Sequence, residues 1–285
     1  MTVLRPTDLT AAVAARSDHP GALLIAGGTD LMVAMNAGRL RPDIVIDLTG
    51  VPELDDWRRE EGSIRIGAGV SYTRLIAELG RDLPGLARAS RTVGSPQIRN
   101  RGTLGGNLGT ASPAGDALPP LVAADALVEL AGGSGTRTLP VQAFLTGPKR
   151  NALAPDELIV AVHVPVCRGA QQFSKIGPRN AMVIAVASLA LDLDPVARAV
   201  GVALGSTGPT TLRAPAAEEY LAGALDWDAP ALDERVAMRF GALVAEAARP
   251  IDDVRGTAAY RRHALDVMAQ RTLAWAIADL GRRAA

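Results

Sequence analysis

Apolar and polar positions in the first fifty residues predict a compact strand–helix–strand unit. Residues 22–25 form a short apolar run that breaks at Gly27-Gly28, and a helix-like stretch over 31–37 follows, opened by Asp30 and closed by Arg41-Pro42. Residues 43–48, reading DIVIDL, have the character of a second buried strand. Period-two alternation predicts a strand over 63–68, and helical spacing predicts helices over 72–79 and 83–93. Strands are expected again over 127–130, 136–139 and 157–164. Residues 165–171 read as a boundary between two domains. Beyond them lie Phe173-Ser174-Lys175-Ile176 and apolar segments over 182–193 and 198–204, before an Ala- and Arg-rich tail with helical periodicity over 232–248 and 257–280.

One stretch, 94–120, has little periodicity. It carries Gly94, Gly102, Gly105, Gly106, Gly109 and Gly115 together with Pro96, Pro113, Pro119 and Pro120. A loop of that length inside a compact domain is functional or disordered. Ile98, Leu104, Leu108 and Leu118 argue against disorder. Asp116 is placed to cap a helix over 117–124.

Composition narrows the chemistry. The chain has 285 residues, 48% of them hydrophobic, which suits one large domain or two modest ones. Thirty basic and thirty acidic residues balance to a formal net charge of zero, and aromatics make up 3%. Neither figure favours nucleic acid or an anionic membrane surface. Cys167 is the only cysteine, which excludes an intrachain disulfide and a cysteine-ligated iron–sulfur cluster in this chain. The three histidines, His19, His163 and His263, lack metal-ligand spacing. No apolar run reaches the ~20 residues of a spanning helix, and the N-terminus has no signal-peptide pattern, so a mature cytoplasmic protein without membrane insertion is expected.

Two glycine-rich segments remain as sites for chemistry. A glycine pair between a strand and a helix lets backbone N–H groups approach an anion, and a pyrophosphate is a natural guest for Gly27-Gly28. Alone, this loop is equally compatible with an ordinary tight strand–helix turn. The dinucleotide fingerprint fails at both Gly67-Ala68-Gly69 and Gly133-Ser134-Gly135, because Tyr72 and Thr138 stand where a third glycine is needed. The second segment, 98–107, runs through Thr103-Leu104-Gly105-Gly106-Asn107 towards Thr110 and Asp116, and could meet the first loop around one elongated ligand.

The motifs AGGTDL, IRNRGTLGGNLGTASPAGDALP and DVRGTAAYRRHALDVMAQRTL together resemble the FAD-carrying medium subunit of molybdenum hydroxylases, of the carbon monoxide dehydrogenase and xanthine dehydrogenase type. The resemblance covers nearly the whole chain. It implies an α+β protein: a vanillyl-alcohol-oxidase (PCMH)-type FAD-binding domain over 1–167, with subdomains meeting near residue 55, and a smaller α+β C-terminal domain over 168–285. It further implies noncovalent FAD, contacted by Leu24, Ile25, Ala26, Gly27, Gly28, Thr29, Asp30 and Leu31. Thr103, Leu104, Gly105, Gly106, Asn107 and Thr110 would form the second contact segment. Asp116 would bind the adenosine end, Ile159 would pack against the cofactor, and Lys175 would reach it from the C-terminal domain. Val93 matches a position where relatives can carry an aromatic, and a valine cannot stack. No side chain is needed as a catalytic acid or base. Electrons would come from a [2Fe-2S] small subunit, with molybdopterin in a large subunit, and pass through FAD to a final acceptor. The competing reading is a stand-alone FAD-dependent oxidoreductase acting on its own small substrate. Residues 94–99 are a candidate for part of a partner-facing surface.

Overall fold

The computed structural model describes residues 1–284. The N-terminal part contains β1 (Thr2–Leu4), α1 (Leu9–Asp18), β2 (Leu23–Ile25), α2 (Leu31–Asn36) and β3 (Ile44–Asp47). These strands form a parallel sheet in the order β1-β3-β2, so β2, α2 and β3 make the expected strand–helix–strand unit.

A second, antiparallel sheet follows. Its members are β4 (Trp57–Glu60), β5 (Ser63–Gly67), β6 (Leu127–Gly132), β7 (Gly135–Pro140) and β10 (Leu158–Pro165), in the order β4-β5-β10-β6-β7. The short strands β8 (Leu145–Gly147) and β9 (Arg150–Asn151) pair separately, after the single turn α8 (Val141–Phe144). Ile64, Ile66, Val128, Leu130 and Val162 point from the five-stranded sheet into one apolar core. Between β5 and β6 lie α3 (Tyr72–Glu78), α4 (Pro84–Thr92), α5 (Pro96–Arg101), α6 (Leu104–Thr110) and α7 (Leu118–Ala123).

The glycine-rich stretch is therefore folded into short helices. Their boundaries follow local chemistry that periodicity does not report. Ser95 accepts from the Ile98 N–H and Pro96 opens α5, while the Thr103 hydroxyl accepts from the Gly106 N–H to start α6. Ala111, with φ of 46°, closes α6 in the left-handed region. Asp116 does not cap α7. Ala117 holds that position and makes no side-chain capping bond.

The C-terminal part is an antiparallel meander, β11 (Ala170–Ile176), β12 (Ala187–Asp194), β13 (Ala199–Gly205) and β14 (Leu212–Arg213), followed by α9 (Pro215–Ala224), α10 (Glu234–Ala247) and α11 (Ala258–Ala284). Side chains alternate between its faces. Leu189, Leu191, Leu193, Val202 and Leu204 build a core with Phe240, Val244, Leu265 and Leu273 of α10 and α11. Phe173, Ala190 and Ala203, in register on the opposite face, join the first core. Small residues make that junction close: a Cβ at Gly201 would lie 2.0 Å from the Ala123 carbonyl oxygen at the end of α7. The same alternation puts Lys175 on the face turned towards the first domain.

Candidate functional site

The Gly27-Gly28 loop leaves β2 and enters α2. Gly28 has φ of 74°, a left-handed conformation that glycine adopts without a Cβ penalty. Among the described residues, the N–H groups of Gly27, Gly28, Thr29 and Asp30 meet no hydrogen-bond acceptor. Successive free amides around a left-handed residue form an anion-binding concavity. Gly27 also allows a close approach, since a Cβ there would lie 2.0 Å from the Arg101 carbonyl oxygen. Thr110 Oγ1 donates to Asp30 Oδ2 at 3.1 Å. The two glycine-rich segments, far apart in sequence, thus lie side by side.

The second segment contributes differently. Its amides are already engaged: Leu104 N–H donates to Val70 O, Gly105 to Ala68 O, Gly106 to the Thr103 hydroxyl and Asn107 to Thr103 O. Leu104 is fully buried in the core, and a Cβ at Gly105 would meet Ala68 Cβ at 2.5 Å. Gly106 is exposed, so α6 presents a bare backbone surface there. Asn107 Oδ1 is buried with no hydrogen-bond partner among the described residues, as is Asp116 Oδ1. Ile159 sits where the β10–β6 register shifts, and its Cδ1 lies 3.7 Å from the position of a Gly109 Cβ. Ile159 therefore touches the second segment.

Lys175 and Asp116 meet across the two domains. Lys175 Nζ donates to Asp116 Oδ2 at 2.6 Å and to the Thr92 carbonyl at 3.3 Å. Their side chains are 7% and 9% exposed, so water does not screen the pair. Burial raises the Asp116 carboxyl above its usual range, while Lys175 and the Thr92 hydroxyl oppose the shift. Thr92, Tyr72 and Ala68 are members of this region that sequence reading missed. Thr92 supplies a carbonyl to Lys175 and a hydroxyl 3.3 Å from Asp116 Oδ2. Tyr72 is buried against Gly102, and burial, followed by the charges of Asp116 and Asp30, pushes its phenol upward. Nothing in their spacing marks them, because each acts through a tertiary contact.

No group of histidine, cysteine and carboxylate side chains able to hold a metal occurs among the described residues, and no helix among them is long and apolar enough to cross a membrane.

The sequence matches the family described as the FAD binding domain in molybdopterin dehydrogenase over residues 1–167. The chain belongs to that family. Residues 172–276 match the CO dehydrogenase flavoprotein C-terminal domain. As an FAD-binding molybdopterin dehydrogenase chain it is similar to the nicotinate dehydrogenase FAD-subunit of Eubacterium barkeri, with 37% identity over 73% of each chain. It is 30% identical to the xanthine dehydrogenase FAD-binding subunit of Escherichia coli O157:H7, covering 97% of this chain and 96% of the relative. A structure of carbon monoxide dehydrogenase from Hydrogenophaga pseudoflava matches with a TM-score of 0.90 at 30% identity, covering 98% of both chains. The α+β fold with an FAD-binding domain and a C-terminal domain is that of this family, and the chain is an oxidoreductase flavoprotein with FAD as its cofactor. The free amides of residues 27–30 and the unpartnered oxygens of Asn107 and Asp116 suit such a ligand, which brings a dianionic pyrophosphate and several hydroxyl and N–H donors.

Proposed function

We propose that the chain is the electron-transfer subunit of a molybdenum hydroxylase complex, accepting electrons from a [2Fe-2S] small subunit and passing them to a final acceptor. Molybdopterin and substrate oxidation belong to a large subunit in this reading, and the complex works in the cytoplasm. The observation that carries it is the row of free amides at Gly27, Gly28, Thr29 and Asp30, set against the end of α5 by the Gly27–Arg101 approach. FAD held by these residues would supply the one- and two-electron redox chemistry, which no side chain here can do.

The chain's own residues bind and orient. Gly27 to Asp30 donate to the pyrophosphate, and Leu24, Ile25, Ala26 and Leu31 flank it. Thr103 to Asn107 and Thr110 shape the opposing wall, with Gly106 leaving room for the ligand. Asn107 Oδ1 and Asp116 Oδ1 accept from cofactor hydroxyl or N–H groups. Ile159 supports α6 from below, and Lys175 fixes the Asp116 carboxylate from the C-terminal domain. The division between domains falls after residue 167.

Affinity purification of the tagged chain from its native host tests the reading. The expected preparation is yellow, releases free FAD on acid denaturation, and contains two further subunits carrying molybdenum and [2Fe-2S]. Recovery of the chain alone, oxidising a small substrate at full rate without partners, would make it a stand-alone flavoenzyme.

A further inference from the structure

Five arginines lie in two short segments on either side of the Gly27-Gly28 loop. Residues 31–41 contain Arg39 and Arg41, residues 91–102 contain Arg91, Arg99 and Arg101, and neither segment has an acidic residue. Among the described residues none of these five meets a carboxylate, and Arg99 spends its guanidinium on the carbonyls of Val93 and Gly94. Elsewhere the pattern is mixed: Arg59, Arg65, Arg74, Arg137, Arg213 and Arg261 are engaged by Asp or Glu, whereas Arg81, Arg150, Arg235, Arg262 and Arg271 also meet no carboxylate among the described residues. In a chain whose formal net charge is zero, the two segments are a local excess of one sign. Arg39, Arg41, Arg91 and Arg101 are exposed. A pyrophosphate brings two negative charges and cannot balance five arginines.

The same region is unusually apolar at the surface. The α2 sequence, LMVAMN, buries none of its residues, and Val33 is 57% and Met32 40% exposed. Leu40 and Ile98 are exposed nearby in the two basic segments. The segments abut where Gly27 lies against the Arg101–Gly102 backbone, and Asp30, at the start of α2, is tied to Thr110. An apolar helix with no covering element, beside unpaired cations, has the composition of an interface core with a charged rim.

We infer that α2 and the arginines at 39, 41, 91 and 101 form the docking surface for an acidic face of the [2Fe-2S]-bearing subunit. The inference rests on the electron-transfer reading above and specifies where the donor sits. Charge complementarity selects an acid-rimmed protein, steers its approach and sets its orientation. A protein seated on α2 adjoins the loop proposed to hold the pyrophosphate.

The test uses the assembled complex. Arg39→Glu/Arg41→Glu and Arg91→Glu/Arg101→Glu chains are expressed with their partner subunits, together with an Arg235→Glu/Arg262→Glu control. Subunit dissociation is measured at low and high salt, and flavin content is read from visible absorbance. Each double reversal is expected to weaken association about tenfold or more at low salt and to flatten its salt dependence, with FAD content and the control unchanged. Wild-type association in both reversals would overturn the docking surface while leaving the complex intact. Loss of FAD with subunits still bound would also overturn it, reassigning the arginines to the cofactor. Binding of the wild-type chain to phosphatidylglycerol vesicles, abolished by the reversals without effect on subunit association, would reassign them to a lipid surface. A wild-type chain that recruits no [2Fe-2S] subunit would overturn the electron-transfer reading and the docking surface together.

Discussion

At Gly105 an added methyl group would sit 2.5 Å from Ala68 Cβ and 2.7 Å from its carbonyl oxygen, whereas at Gly106 it would meet only the Thr103 hydroxyl, at 3.0 Å. The first contact is with backbone and core, the second with one side chain at an exposed position. Gly105→Val is therefore expected to lower stability by about 3 kcal/mol or to prevent folding, while Gly106→Val keeps its Tm within about 2 °C. If Gly106 faces the cofactor, the Val variant should still lose about tenfold or more in FAD affinity. Thermal unfolding and flavin titration on the two proteins check this, and equal behaviour would remove Gly106 from the binding surface. Gly28→Val adds backbone strain of about 1–2 kcal/mol because of its left-handed φ, so it should lose both stability and flavin.

Lys175 and Asp116 call for a different experiment, since removing one buried charge strands the other. Lys175→Met is expected to destabilise by about 3 kcal/mol, and Lys175→Met/Asp116→Asn to recover much of it. Burial already raises the Asp116 carboxyl, so without Lys175 it should take up a proton readily. The Lys175→Met defect is then smaller at pH 5.5 than at pH 8. A pH-independent defect, or additive single effects in thermal unfolding, would mean that the pair is not coupled.

At the scale of elements, what could be read from sequence and what could not divide along physical lines. Runs whose hydrophobic period matches their structure were legible: β3, β5, β6, β10 and α3 lie within a few residues of their expected positions. The short strand β4, reading WRRE, was missed because an edge strand with two exposed arginines carries no apolar alternation. Residues 94–120 looked irregular because α5, α6 and α7 are six or seven residues long, too short for periodicity to emerge, and are set by Ser95, Pro96 and Thr103. Asp116 had the sequence context of a cap, yet its carboxylate turns to Lys175, a preference only the tertiary fold reveals. The junction between α7 and β13 was equally hidden. There Gly201 lies against Ala123 O, so Gly201→Val should cost about 3 kcal/mol by denaturant unfolding. Gly223 in α9 has open space around it, and Gly223→Ala should be neutral or slightly stabilising. Similar losses at both positions would show that the close approach is not what Gly201 provides.

For the whole molecule, the contact between the two domains also contains a charge that works against it. Asp192 lies on the β12 face turned towards the first domain, in register with Gln171, whose Nε2 donates to it at 2.9 Å and whose Oε1 accepts from Gly85 N–H of α4 at 3.4 Å. Burial pushes its carboxyl up to about 6, Gln171 opposes this, Asp194 and Asp125 reinforce it, and Arg168 opposes it weakly. A folded-state value above the unfolded one means that the native protein holds this proton more tightly. Its contribution is fully favourable below about pH 4 and is lost as pH rises through about 6. Above that, the junction carries an ionised carboxylate with no cation in direct contact among the described residues. Asp192→Asn keeps the acceptor for Gln171 and removes the charge. The variant should gain on the order of 2 kcal/mol at pH 7.5, a Tm rise of roughly 4–8 °C, shrinking below about 1 kcal/mol at pH 4.5. Unfolding followed across this range decides the matter. A gain independent of pH would assign the effect to packing, and a loss at pH 7.5 would show that the charge is held by a partner stronger than Gln171. A rise confined to neutral pH would mean that the domain junction of this flavoprotein tightens as carboxylates protonate, with Asp192 as the group responsible.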